Sequence, residues 1–265
     1  MLQIERYVLA SDLKEAYELL TTVPGSAVLG GCGYLRLGAR AITTAIDLSA
    51  LQLDYVRENG PWIEIGAMTS LRSMETHPLL RSLAGGVLPR SLGHIVGVQL
   101  RAAVTIGGTV AGRYPFSDPL TALLALEARV HLHQRGVLPL EEFLSAKPAR
   151  DVVVQLSIPR DERLAAFGSV RRAQTDYAVL NAAVSRKDEE YRLVVGSRPG
   201  RAMLVPAAAA YLRQHGLSRE SIVEAAGITV QAVPLGTNPR GSEAYRRAVC
   251  PVLIKRLLSE VLHGA

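Results

Sequence analysis

Residues 30–33 read Gly-Gly-Cys-Gly, directly after the apolar run Ala27-Val28-Leu29. Three glycines in four positions free the backbone to take positive φ, so the chain turns sharply there. Successive N–H groups can then face one concave side, a form that suits a diphosphate. The segment is not the fingerprint G-x-G-x-x-G, because Leu35 and Arg36 follow Gly33-Tyr34, and it is not a Walker loop, because no G-K-[ST] occurs. A second glycine pair stands far downstream in Thr105-Ile106-Gly107-Gly108-Thr109, and Ser117-Asp118 follows at the start of a helical pattern. Hydroxyls and glycine amides of this segment can hold phosphate oxygens, and Asp118 can accept from a ribose or ribityl hydroxyl. Each feature also has an ordinary structural reading, a tight strand-to-loop turn for the first and a helix N-cap for Asp118.

Around these segments the pattern predicts an α+β chain. Ser11 reads as an N-cap ahead of Leu13, Ala16, Tyr17 and Leu20 at helical spacing. Residues 27–29 and 45–48 read as strands, which makes a β-α-β-like opening with the glycine loop inside it. A strand is expected over 62–67, a short helix over 69–76, and a second helix from Pro78 towards Gly93, followed by a loop region. A helix is predicted from Asp118 to about Ala128. Strands are predicted over 130–132, 152–158, 167–172, 177–185 and 191–196, several of them antiparallel. Helices follow over 207–215, 218–226 and 242–262. The order places a boundary near residues 159–164.

At 265 residues, with 48% hydrophobic and 20% charged side chains, the chain is long enough to bury a cofactor and is not a disordered one. The start lacks the basic stretch and apolar block of a secretory signal, so a cytoplasmic location is expected. The longest apolar stretch, 203–212, contains Pro206 and falls short of the roughly 20 residues that a membrane span needs. The net charge of +6 comes without an aromatic platform or a helix-turn-helix pattern, so nucleic acid is not an expected partner. Cys32 and Cys250 stand far apart, which leaves no disulfide framework and no C-x-x-C cradle for a metal or an iron–sulfur cluster. His131 and His133 share a predicted strand face without a third ligand, so no metal site is assigned. Cys32 within the glycine nest is a candidate for a depressed pKa. Arg240, Arg246, Arg247, Lys255 and Arg256 read as a solvated basic face or a docking surface.

The two glycine segments together carry a resemblance. Residues 29–35 resemble A-G-G-T-D-L-L, and residues 101–108, R-A-A-V-T-I-G-G, resemble V-R-N-x-A-T-I-G-G, both from the FAD-binding subunits of molybdenum hydroxylases of the xanthine dehydrogenase and carbon monoxide dehydrogenase type. Residues 117–126, 66–69, 138–143, 176–183 and 240–247 add further matches in the same order along nearly the whole chain. The resemblance implies the fold shared with vanillyl-alcohol oxidase and UDP-N-acetylenolpyruvylglucosamine reductase. A two-lobed FAD-binding domain would span 1–160, split near 52–60, and an α+β domain with an antiparallel sheet and helices would span 161–265.

Carried over residue by residue, Ala27, Val28, Leu29, Gly30, Gly31, Cys32, Gly33 and Tyr34 would embrace the phosphates of a non-covalent FAD. Thr105, Ile106, Gly107, Gly108 and Thr109 would hold the phosphate and ribityl region, and Asp118 a cofactor hydroxyl. Ile95 and Val153 would be apolar neighbours, and Tyr114 would lie near the isoalloxazine. Cys32 and Gly33 depart from the usual hydroxyl and acidic residues, and Thr109 from the common asparagine. Gly168 stands where some members place a lysine, a charge that Arg171 would restore. No acid–base pair is expected, because the cofactor supplies the chemistry. The implied partners are a large molybdopterin subunit and a small iron–sulfur subunit, with NAD or another acceptor taking the electrons. A stand-alone flavin reductase or oxidase of the same fold and a flavin-free structural subunit stay open as alternatives.

Overall fold

The computed structural model describes residues 2–39 and 41–264. The chain forms two compact units that interleave along the sequence. One holds residues 1–74, 97–112 and 128–159, and the other holds 75–96, 113–127 and 160–265.

The first unit opens with strands β1 (Gln3–Leu9), β2 (Ala27–Leu29) and β3 (Ala41–Asp47), all parallel, in the order β1-β3-β2. β1 is absent from the sequence-based reading, because its alternation leaves nearly every side chain exposed and so gives no buried face to detect. The helix Leu13–Thr22 joins β1 to β2 and buries Ala16 and Leu20 against Ile46 and Leu48. Its N-cap is Asp12, not Ser11: Asp12 accepts from Glu15 N at 2.8 Å, and the Glu15 carboxylate reaches back to Ser11 N at 2.8 Å. A second sheet of the same unit is antiparallel, with β4 (Val56–Asn59), β5 (Trp62–Gly66), β6 (Arg129–Leu132), β7 (Gly136–Pro139) and β8 (Val153–Pro159) in the order β4-β5-β8-β6-β7. His131 on β6 is tied to Ser157 Oγ at 2.9 Å.

The helix expected from Pro78 to Gly93 is broken. Ala84, Gly85 and Gly86 take positive φ in succession, which splits the segment into the helices Pro78–Ser82 and Val87–Gly93. The loop expected after Gly93 contains a helix, Val98–Ala103.

The second unit is built on an antiparallel sheet of β9 (Leu164–Val170), β10 (Leu180–Lys187), β11 (Glu190–Gly196) and β12 (Met203–Leu204), in the order β12-β11-β10-β9. Leu180, Ala182 and Val184 of β10 face a core shared with Leu212, Ile222 and Leu257 of the helices Pro206–His215, Arg219–Ala232 and Glu243–His263. Asn181 and Ser185, on the alternate positions, meet the helix Asp118–Ala125 on the other face, with Ser185 Oγ donating to Ala125 O at 2.6 Å. Arg246, expected on a solvated basic face, is fully buried: it donates to the carbonyls of Val179, Gly236 and Gly241 and to Asn238 Oδ1. Among the described residues no helix is long and apolar enough to cross a membrane.

Candidate functional site

The two glycine segments meet inside the first unit. β2 delivers the chain to Gly30, and the turn that follows takes φ of +75° at Gly31 and +54° at Cys32. Gly30 O accepts from Thr105 N at 3.3 Å, so the turn is stitched to the second segment. A Cβ at Gly30 would lie 2.6 Å from Gly108 Cα, and one at Gly108 would lie 2.6 Å from Gly30 O. At Gly31 a Cβ would collide with Ala103 O, and at Gly107 it would come within 2.7 Å of the Ala67 side chain. Glycine is therefore a steric requirement of the contact between two main chains, as well as of the turn.

The second segment is not a loop. Residues 106–112 form the helix Ile106–Gly112, and its first amides are all engaged within the protein. Ile106 N donates to Thr69 O, Gly107 N to Ala67 O, Gly108 N to Thr105 Oγ1 and Thr109 N to Thr105 O, at 2.8–3.1 Å. The glycine amides that the sequence pattern offers to phosphate oxygens are thus engaged within the protein in this structure. The hydroxyl of Thr109 is also engaged, on Thr105 O at 2.9 Å, whereas Thr105 Oγ1 accepts from Gly108 and keeps its own proton to donate. Among the described residues, the N–H groups of Gly31, Cys32 and Gly33 have no acceptor. These three consecutive turn amides, on residues that are exposed or half-buried, are donors available to an anion. Ala67 and Thr69 were not expected at the site; the Gly66–Thr69 match was the signal that pointed to them.

Cys32 does not have the lowered pKa expected for a reactive thiol. Burial pushes it up, Asp47 adds to the push, and Arg36 opposes it only in part. Val153 lies buried on β8 of the same unit.

Ile95, Tyr114, Asp118 and Arg171 belong to the second unit. Ser117, not Asp118, is the N-cap of the helix Asp118–Ala125. Asp118 is 4% exposed and both its oxygens are taken: Oδ1 accepts from Asn181 Nδ2 at 2.6 Å, and Oδ2 is paired with the Arg171 guanidinium. Burial pushes the Asp118 carboxyl above its ordinary range, against the pull of Arg171 and Asn181. Arg171 also donates to Asp176 O at 2.6 Å and to Ser169 Oγ at 3.1 Å. Tyr114 stacks on Phe116 at 5.4 Å between centroids, Phe116 meets Tyr177 at 4.5 Å, and Arg240 lies over the Tyr177 ring at 4.5 Å. Gly168 faces the helix Glu243–His263, where a Cβ would come within 2.9 Å of Leu253 Cδ1, so a side chain at 168 points into the core of this unit.

Residues 2–161 match the family described as the FAD binding domain in molybdopterin dehydrogenase, and residues 165–261 match the CO dehydrogenase flavoprotein C-terminal domain. The chain belongs to the flavoprotein-subunit family of the molybdenum hydroxylases. It is 28% identical to the uncharacterized protein YgfM of Escherichia coli (strain K12), over 97% of this chain and 96% of that one. It is 24% identical to the nicotine 6-hydroxylase medium subunit of Paenarthrobacter nicotinovorans, over 96% of both chains. The fold is that of a chain of carbon monoxide dehydrogenase from Hydrogenophaga pseudoflava, with a TM-score of 0.91 at 22% identity over 99% of this chain and 98% of that one. This flavoprotein subunit is thus part of an oxidoreductase family, and relatives are named as subunits of larger complexes. The residues present fit the cofactor of the matching domain: the amides at 31–33, which have no acceptor within the described residues, offer a diphosphate three donors.

Proposed function

We propose that the chain is the electron-relay subunit of a cytoplasmic molybdenum hydroxylase complex. It takes electrons from iron–sulfur centres of a small partner subunit, fed by a large molybdopterin subunit, and delivers them to NAD or another acceptor. The observation that carries the reading is the stitched pair of glycine segments, which leaves the amides of Gly31, Cys32 and Gly33 open while every amide at 106–109 is spent within the protein.

Bound FAD supplies the one-electron and hydride chemistry of such a relay. The chain's own part is to bind and to orient. The turn at 27–34 grips the diphosphate through main-chain donors, which is why the departures at Cys32 and Gly33 leave binding intact. The Thr105 hydroxyl adds a donor, and Ile106, Gly107, Gly108 and Thr109 hold the turn in place from behind. Val153 contributes apolar surface. The roles of Ile95, Tyr114, Asp118 and Arg171 towards the cofactor rest on the family resemblance, as does the division into a cofactor domain over 1–160 and a C-terminal domain over 161–265.

The visible spectrum of the purified chain, with and without added FAD, tests this reading together with the melting temperature. A flavin absorption band and an FAD-dependent rise in Tm are expected. A folded, colourless protein whose Tm ignores FAD would identify a flavin-free structural subunit instead. Turnover of a small substrate with NAD(P)H by the isolated chain would identify a stand-alone flavoenzyme.

A further inference from the structure

The amides at 31–33 can donate to an anion but carry no net charge, and two ionised side chains stand next to them within the same unit. Asp47 ends β3 and pairs in register with Leu29, the last residue before the turn. Its carboxylate accepts from the Tyr7 hydroxyl at 2.6 Å and from Ser49 N at 2.8 Å. Burial pushes this carboxyl up, yet the hydrogen bonds from Tyr7 and Ser49 prevail and hold it below its ordinary range, so it is ionised at neutral pH. Both of these partners are neutral, and the negative charge beside the turn is therefore fixed in place without being cancelled. Arg36 follows the turn in the short helical segment Leu35–Leu37, and its main-chain N–H donates to Cys32 O at 3.2 Å. Its side chain is exposed, and among the described residues it makes no hydrogen bond or ion pair. The Cys32 thiol feels the two charges in opposite senses, which puts both within electrostatic reach of the turn.

We infer that Arg36 is the charge partner of a diphosphate held on these amides, and that Asp47 opposes it. A dianion seated at 31–33 meets a carboxylate that is tied down and cannot move away, so neutral donors alone would hold it against a standing repulsion. Arg36 has the chemistry to offset this. Its guanidinium is always charged, sits on a long side chain and can present two parallel N–H groups to phosphate oxygens. No bond within the described residues has to break for it to do so. Main-chain shape at the turn thus selects the group that binds, while one cation and one anion set how tightly it is held. Exposed charges act over a Debye length of about 10 Å at 0.1 M salt, so this balance is sensitive to ionic strength. The inference rests on the flavin reading given above.

FAD titrations of the full chain at low and at high salt, about 0.02 M and about 0.5 M NaCl, test it with the variants Arg36→Gln, Arg36→Lys, Asp47→Asn and the pair Arg36→Gln with Asp47→Asn. At low salt Arg36→Gln is expected to weaken FAD binding by about tenfold, and Arg36→Lys to keep most of the affinity. Asp47→Asn should bind FAD more tightly than the unaltered chain, and the paired variant should return close to it. All of these differences should shrink to about twofold or less at high salt, where the charges are screened. A purely structural role for either residue predicts neither tighter binding nor a salt-dependent difference. An Arg36→Gln affinity equal to that of the unaltered chain at low salt, a loss as large at high salt, or an Asp47→Asn variant that folds and binds no more tightly would overturn the inference. Should Asp47→Asn fail to fold, the salt dependence of Arg36→Gln against the unaltered chain decides alone. If the unaltered chain binds no FAD at either salt concentration, it is the flavin reading that fails; if it binds FAD and Arg36→Gln changes nothing, it is the charge role.

Discussion

Gly30 and Gly108 touch main chain to main chain: each occupies the space where the other would place a Cβ, at 2.6 Å. Side chains at either position force two backbones apart, and neither backbone is a flexible end that can swing away. Gly30→Ala and Gly108→Val should therefore each lower stability by about 1–3 kcal/mol, the usual cost of overpacking. Gly31→Val combines a collision with Ala103 O with a strained positive φ and should do worse. Thermal melts give the stability change and FAD titration gives the binding; wild-type behaviour in both would contradict the stitched arrangement.

The Cys32 thiol should be sluggish. Burial and Asp47 hold its pKa above the ordinary thiol value, so little thiolate is present near pH 7. Alkylation by iodoacetamide is expected to be slower than that of a free cysteine and to accelerate as pH rises above 8. Cys32→Ser should retain FAD binding, since the turn works through its amides. Fast modification at pH 7 would contradict the assignment.

Glu64 should make the protein acid-sensitive. Asn59 holds its carboxyl below the ordinary range, and Arg57 and Gln155 add to the effect against the opposing push of burial. A depressed carboxylate stabilises the fold above its unfolded pKa, and that contribution is lost as pH falls through the folded value. Urea titrations of the wild type and of Glu64→Gln between pH 7 and pH 3 should therefore converge as the pH drops. Curves that stay parallel would count against it.

Arg246 should be indispensable to the second unit. Its removal takes the guanidinium donor from the carbonyls of Val179 and Gly236, and one of two donors from Gly241 O and Asn238 Oδ1, which keep Asn238 N and Arg240 N. Arg246→Met is expected to cost about 3 kcal/mol or more, on the scale of breaking a buried charged network. A loss under 1 kcal/mol in chemical denaturation would contradict this account.

Much of this fold was legible in the sequence, because β5, β8, β10 and β11 carry apolar runs or alternation that only a buried strand needs. β1 was not, since an exposed edge strand lacks that contrast. At the candidate site, composition singled out the glycines that the structure brings together. The conformational demand at Gly31 could be read from residue type, but that Gly107 and Gly108 serve close approach, with their amides already spent, depends on Ala67 and Thr105, whose contacts no local pattern encodes. Asn181 likewise sits 63 residues from the carboxylate it orients, and only the pairing of β10 beside the helix Asp118–Ala125 brings the two together.

The interleaving of the two units has a practical reach. The helix Asp118–Ala125 covers one face of β10 and β11, yet the 32 residues 128–159 of the other unit separate its segment from residues 160–265 of its own. A fragment cut at residue 160 would carry that helix away from its sheet and bare Asn181, Ala183 and Ser185 to water. Neither half of this chain can be expected to survive alone by simple truncation, and a gene fusion or split reporter would have to respect both crossings to yield folded protein.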